Sequence, residues 1–349
     1  MNRLAFSSIG LILTLSNSLW VSSVESQEID VIAFGSCSHQ DKPQPIWSEV
    51  LKTDPDLFIF LGDNIYGDSD DPAVLQSKYQ QLAAKPGLQQ LLKQTTVIAT
   101  WDDHDFGRND AGAEYEMKES SRQIMLDFFD EPAASERRTR PDGLYTSYLY
   151  GVPDRQVQVI LLDLRWNRDA LVELSDPDLR LQRERENRGP YEANLAANAD
   201  ILGEAQWAWL EQQLMVDADV RIIGSSIQLL AEFTGWESWA NFPNARQRFI
   251  ELLAAYQREP IVIISGDVHW AELSEINGTA NGWPLVELTS SGLTEEWKAI
   301  SPNRHRVGEA FAEANFGVIE IDWNAITPAL SLKIVDDSGT ELIDRELFF

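Results

Sequence analysis

The sequence has one cysteine, Cys37, in 349 residues, so no intramolecular disulfide can form. Histidine is also sparse, with four residues to serve both packing and chemistry. Positive charge is short as well: 28 Lys plus Arg stand against 56 Asp plus Glu, a formal charge of −28. A basic stripe that tracks a nucleic-acid backbone is therefore not expected, and small partners are favoured over long polyanions. With 20 Gly and 15 Pro the chain is neither collagen-like nor of low complexity. No repeat and no Gly/Ser tract divides it, so residues 27–349 are expected to form one large domain. What is present is core material: 44% hydrophobic residues, including 10% aromatic.

The N-terminus reads as a leader. Met1-Asn2-Arg3 is a short basic start, no charge occurs from Leu4 to Val24, and the small residues Val24 and Ser26 precede Gln27. Residues 1–26 are thus expected to be a signal peptide, and the mature protein to be periplasmic or extracellular. Ser16-Asn17-Ser18 and Ser22-Ser23 make the stretch a poor membrane anchor, and no Arg pair marks the twin-arginine route. A lone thiol in an oxidising compartment is expected to be buried or metal-bound.

Short apolar runs recur at 31–34, 57–61, 96–100, 157–162, 220–225 and 261–265 and read as buried strands. Helical patterns separate several of them, at 45–51, 73–84, 118–129, 204–214 and 245–256. This alternation predicts an α/β fold. The runs at 284–290, 316–323 and 329–335 have little helix between them and suggest strands of a second sheet.

The residues just past the early strands carry the chemistry, because sites in open α/β sheets gather beyond the carboxyl ends of strands. They are Gly35-Ser36-Cys37, Gly62-Asp63-Asn64-Ile65-Tyr66, Trp101-Asp102-Asp103-His104-Asp105 and Gly266-Asp267-Val268-His269. A thiolate from Cys37, a phenolate from Tyr66, a carboxylate from Asp63 and an imidazole from His269 suit a strongly Lewis-acidic transition ion. Ferric iron (Fe3+) fits these charge donors best, with Zn2+ or Mn2+ as alternatives. Asp103, Asp267 and a shared oxygen of Asp63 are hard donors that suit Ca2+, Mg2+ or Mn2+. Such a pair of cations serves displacement of an oxygen at phosphorus, with a metal-bound hydroxide as nucleophile. His104, beside Asp105, is the candidate acid for the leaving alkoxide. Arg165 is the best-placed arginine for the phosphate oxygens and Arg108 the second.

The strings FGSCS, LGDNIYGD, TWDDHDFGRND and SGDVHWAE resemble the motifs of PhoD-type alkaline phosphatases of the metallophosphoesterase superfamily. LLDLRW, LGEAQWAWLEQQL and WESWANFPNARQRF extend the resemblance over Val31 to Glu272. It implies a four-layer α-β-β-α sandwich holding iron and calcium and acting on phosphate mono- and diesters. Carried over, Asp63 would bridge the metals, Cys37, Tyr66 and His269 would complete the iron shell, and Asp103 and Asp267 would hold calcium. Asp102 is the second choice in the register of Asp103, and Ser226 or Gln228 are weak oxygen candidates for the second site. Arg108, Asn109 and Trp270 are expected to touch substrate. Many of these enzymes carry an Arg pair and an N-terminal sandwich domain, and this chain is expected to depart from them in both.

Other features read more plainly. His39 could line the pocket, whereas His305 lies among surface arginines, and Asp68-Ser69-Asp70-Asp71 reads as solvated surface. Trp207 and Trp209 read as core, and Trp236, Trp239 and Trp270 as candidates for the mouth. The expected activity is that of an exported phosphoesterase. Its alternatives are a phosphodiesterase of lipid headgroups or nucleotides, and a noncatalytic, calcium-stabilised surface protein.

Overall fold

The strand Leu57–Leu61 shows how the layers arise: all five of its residues are buried, and alternate side chains enter different cores. Leu57, Ile59 and Leu61 pack between two sheets, while Phe58 and Phe60 pack outward under helices. The computed structural model describes residues 23–232, 234–256, 258–277 and 283–348. Its first sheet has the strand order Glu341–Leu347, Ala329–Asp336, Asn315–Asp322, Val31–Gly35, Leu57–Leu61, Thr96–Thr100. The second has the order Ser23–Glu25, Thr146–Val152, Arg155–Leu161, Val220–Ser225, Ile261–Ser265, Leu285–Ser290, Ala271–Ile276.

Three apolar layers result. The first lies between the sheets and joins Ile32, Phe34 and Ile59 to Val159, Ile222 and Ile264. The second packs the other face of the first sheet against helices Trp47–Lys52, Pro72–Ala83, Pro86–Gln94 and Lys118–Phe128. The third packs the second sheet under Gly203–Gln213 and Pro243–Tyr256, where Trp207, Leu210, Phe249 and Leu253 are buried. The architecture is the expected four-layer α-β-β-α sandwich.

The structure adds strands Thr146–Val152, Ala271–Ile276 and Glu341–Leu347 to those read from the sequence, and it differs in three further ways. The late strands do not form one sheet: Leu285–Ser290 pairs in parallel with Ile261–Ser265, whereas Asn315–Asp322 pairs antiparallel with Val31–Gly35. Helix Pro177–Arg185 was not legible because it buries no residue and so has no apolar period. Pro86–Gln94 needed its Pro start and its Leu88 and Leu91 to be read together.

Residues 1–22 of the expected leader lie outside the described residues, and Ser23–Glu25 lies parallel to Tyr148–Tyr150 at the sheet edge. Among the described residues no helix is long and apolar enough to cross a membrane.

Candidate active site

The strand ends deliver their residues through strained turns. Cys37, Asp63, Asp267 and His269 all have positive φ (64°, 50°, 73° and 62°), a left-handed conformation costly for residues other than glycine. Each such residue costs about 1 to 3 kcal/mol, which only surrounding structure can sustain. The support is visible at the Asp102–Asp105 turn. Asp102 N–H donates to Asp105 Oδ1 at 2.7 Å, and Asn64 Nδ2 donates to Asp105 Oδ2 at 2.5 Å. Asp105 therefore lies beneath the turn as its cap, not beside the His104 ring.

Potential ligand atoms converge in groups whose members lie within 4.8 Å of one another. Cys37, Asp63 and His269 form one group, and Asp63, Asp103 and His104 a second. Asp102, Asp103 and Asp267 form a third. Tyr66 joins the first, its hydroxyl 2.9 Å from His269 Nε2. A span below 4.8 Å is what donors around one ion show when each bond is about 2.0–2.3 Å. A fourth group, Asp103, Asp110 and Glu237, is already neutralised in part, because Glu237 meets Arg165 at 2.6 Å and Arg168 at 2.8 Å.

Electrostatics make the same point. Burial pushes Asp63 well above the usual carboxylate range, and the neighbouring Cys37 adds to it. Burial and the charges of Asp102 and Asp103 do the same to Asp267. Asp102 is pushed up to about 8 by burial, against the pull of Arg165. Burial also raises Asp103, but the Arg165 and His104 charges outweigh it and hold that carboxyl below its ordinary value. Burial lowers His269 to about 4, which leaves a neutral ring able to ligate. Carboxylates crowded in this way need cations to ionise together, and Asp63 Oδ1 and Asp102 Oδ2 are buried without a hydrogen-bond partner. The donor set fits a pair of metal ions.

His104 has a partner the sequence did not reveal. Its Nδ1 lies 2.8 Å from Asp68 Oδ1, so the acidic run read as solvated surface supplies a buttress to the site. Burial lowers the imidazole pKa, yet Asp103, Asp63 and Asp68 together push it up to about 11. The pocket, about 190 Å³, is lined by Asp63, Asp103, His104, Asn109, Asp267 and Trp270, among others. Trp236 and Trp297 stand at its wall in an edge-on pair, 5.8 Å between ring centroids.

Several expected residues lie elsewhere. Arg165 does not line the pocket: it is fully buried behind it, with Nη2 2.5 Å from Asp102 and Nη1 2.6 Å from Glu237. Arg108 is exposed and paired with Asp70. Trp239 is core, packed on Trp207 and Phe249, because its indole N–H donates to Ser225 Oγ at 3.0 Å inside the third layer. His39 stacks on Tyr66 with centroids 4.7 Å apart, outside the pocket lining. Ser226 donates to Asp102 at 2.5 Å, while Gln228 turns to Glu272. Asp68, Asp110, Glu237 and Ser291 were missed. All four sit in loops, where no periodicity marks them.

The model of the PhoD-like phosphatase family matches residues 32–320. The chain belongs to that family. It is therefore a metal-dependent hydrolase of phosphoric esters. No curated protein matches its sequence. Among solved structures it resembles PhoD, at 15% identity and a TM-score of 0.63, over 93% of this chain and 73% of the other. GAP50, described as the anchor in the inner membrane complex of Plasmodium, aligns at 13% identity and a TM-score of 0.58, covering 92% and 89%. A dimetal phosphatase from Danio rerio aligns at 13% and 0.56, covering 93% and 100%. At these identities the shared property is the fold.

Proposed function

We propose that this family member is an exported phosphatase with a mixed-metal site, acting on small phosphate mono- and diesters. The observation that carries this reading is that Asp63 lies with Cys37 and His269 on one side and with Asp103, beside His104, on the other, as a bridging carboxylate requires. Cys37, Tyr66, His269 and Asp63 would hold ferric iron; Asp63 and Asp103 would hold calcium, with Asp267 joining from the adjoining group that it forms with Asp102 and Asp103. Cations there supply Lewis acidity and acidify water.

The remaining steps fall to the chain. Asn109 and Trp270, at the pocket wall, orient the ester. His104, with Nδ1 engaged by Asp68, keeps Nε2 free to protonate the leaving oxygen. Arg165 acts through Asp102 and Glu237, fixing the carboxylates behind the pocket, and Arg108 stays outside. The acidic lining disfavours polyanions, which supports small esters as substrates. Export rests on the leader pattern of residues 1–26, and cleavage before Gln27 would remove the Ser23–Glu25 strand with it. GAP50 shares the fold and is described as an anchor, but an anchor has no use for a thiol and an imidazole gathered at one carboxylate, with a phenol against the imidazole.

The test is metal analysis and absorption spectroscopy of protein purified without chelator. Iron with calcium, and a visible band lost in Tyr66→Phe or Cys37→Ser, is the expected result. A colourless zinc or manganese protein would retain the hydrolase and reject iron. In the same preparation His104→Ala should keep its metals and lose about 10²- to 10⁴-fold in kcat; an unchanged kcat would reject the acid assignment.

A further inference from the structure

Cys37 is surrounded by hydroxyls that the proposed chemistry leaves unused. Ser291 Oγ and Ser36 Oγ each lie 3.2 Å from Cys37 Sγ, and all three residues are buried. Ser291 follows the strand Leu285–Ser290, a further strand end at the site, 254 residues along the chain from Cys37.

The roles of the two hydroxyls are not equal. His269 N–H donates to Ser291 Oγ at 2.8 Å, so that oxygen already accepts from the backbone of a candidate ligand. Its own proton has no other acceptor among the described contacts and points to sulfur once Cys37 is a thiolate, which has nothing left to donate. Ser36 has a second choice, the carbonyl of Ser290 at 3.4 Å. The backbone holds Ser291 in place. Leu293 N–H donates to Ser36 O at 3.1 Å, and Thr294 donates to Cys37 O through both its N–H (3.1 Å) and its hydroxyl (3.0 Å). Room for the Ser36 hydroxyl comes from Gly266, where a Cβ would meet Ser36 Oγ at 2.3 Å.

We infer that Ser291 is the positioning residue of the metal-binding thiolate, its hydroxyl hydrogen-bonding to Cys37 Sγ while it braces the His269 backbone, with Ser36 as a weaker second donor. The inference rests on Cys37 being a ligand, as proposed above. A hydrogen bond to a coordinated sulfur withdraws charge from it, so its removal makes the sulfur a stronger electron donor.

The experiment uses full-length protein stripped of metal and reloaded with cobalt(II), whose near-ultraviolet sulfur-to-metal band reports the thiolate whatever the native ion is. In Ser291→Ala the band should move to longer wavelength and cobalt affinity should fall about 10- to 100-fold. Ser36→Ala should give a smaller shift in the same direction, and Ser291→Thr, which keeps the hydroxyl, should restore the wild-type position. An unmoved band in both alanine variants, or a larger shift in Ser36→Ala, overturns the inference. If the band persists in Cys37→Ser, what fails is the ligand assignment itself, a different outcome from either. Should Ser291→Ala not fold, Ser291→Cys, whose thiol is a weaker donor than the hydroxyl, reads the same interaction, and an unmoved band there overturns the inference.

Discussion

Asp68 holds His104 by its Nδ1 and, through Oδ1, also accepts from Asn109 N–H at 3.0 Å, so one exposed carboxylate aligns two groups of the pocket. The imidazole, raised to about 11, is protonated at neutral pH, the state a general acid needs. Bound cations repel that proton, so the alkaline limb of the rate profile is expected below this value. Asp68→Asn removes one of the charges that raise the imidazole, and the limb should move to lower pH. A kcat profile against pH for both proteins checks this; coincident limbs would remove Asp68 from the machinery. Arg165 invites a different change. Arg165→Met leaves Asp102 buried without its cation and Glu237 with Arg168 alone, so it should cost about 3 to 5 kcal/mol of stability in chemical denaturation. A variant of unchanged stability with only KM raised would instead favour direct contact with phosphate.

The site depends on where strands stop. Gly62, with φ of +102°, ends the strand Leu57–Leu61 and lies so close to the neighbouring strand end that a Cβ would meet Asp102 Cβ at 2.4 Å and Asp102 N at 2.5 Å. Gly62→Ala should thus be destabilised by about 1 to 3 kcal/mol and bind less metal, since the displaced backbone carries both Asp63 and Asp103. Thermal melting with metal analysis reads both effects, and a fully metallated, equally stable variant would contradict the argument. Much of this was legible because the strands are short runs apolar on both faces, followed at once by chemistry-bearing residues. Cys37, Asp63, Asp103, Asp267 and His269 could therefore be placed at one edge from the chain alone. Asp68, Glu237 and Ser291 could not: each reaches the site across a loop, and the tertiary contact that gives it meaning has no local signal. Arg165 was legible as a strand-end arginine, but its burial between Asp102 and Glu237 was not.

The molecule as a whole carries a formal charge of −28 and concentrates several carboxyls where water cannot reach them. Without cations, Asp63 and Asp267 stand well above their ordinary value of 3.8, Asp102 is near 8, and Asp105, raised by burial, is near 7. These acids hold protons more tightly folded than unfolded. Their stabilising contribution is full below about 3.8 and is lost as pH rises through about 7 and 8. Chelated protein should therefore melt at progressively lower temperature from pH 5 to pH 9, and the metal-loaded form should show a much smaller decline. Parallel melting curves for the two forms would mean that the cations do not sit on these carboxylates.

The convergence of strand ends from both sheets also sets a schedule for biosynthesis. Cys37, Asp63 and Asp103 leave the ribosome long before Asp267, His269 and Ser291, with Cys37 and Ser291 separated by 254 residues. A nascent chain cannot assemble the cluster until most of its length has been made, and a stalled one carries only part of it. Maturation is thus ordered by synthesis, with capture of the ions as its closing step.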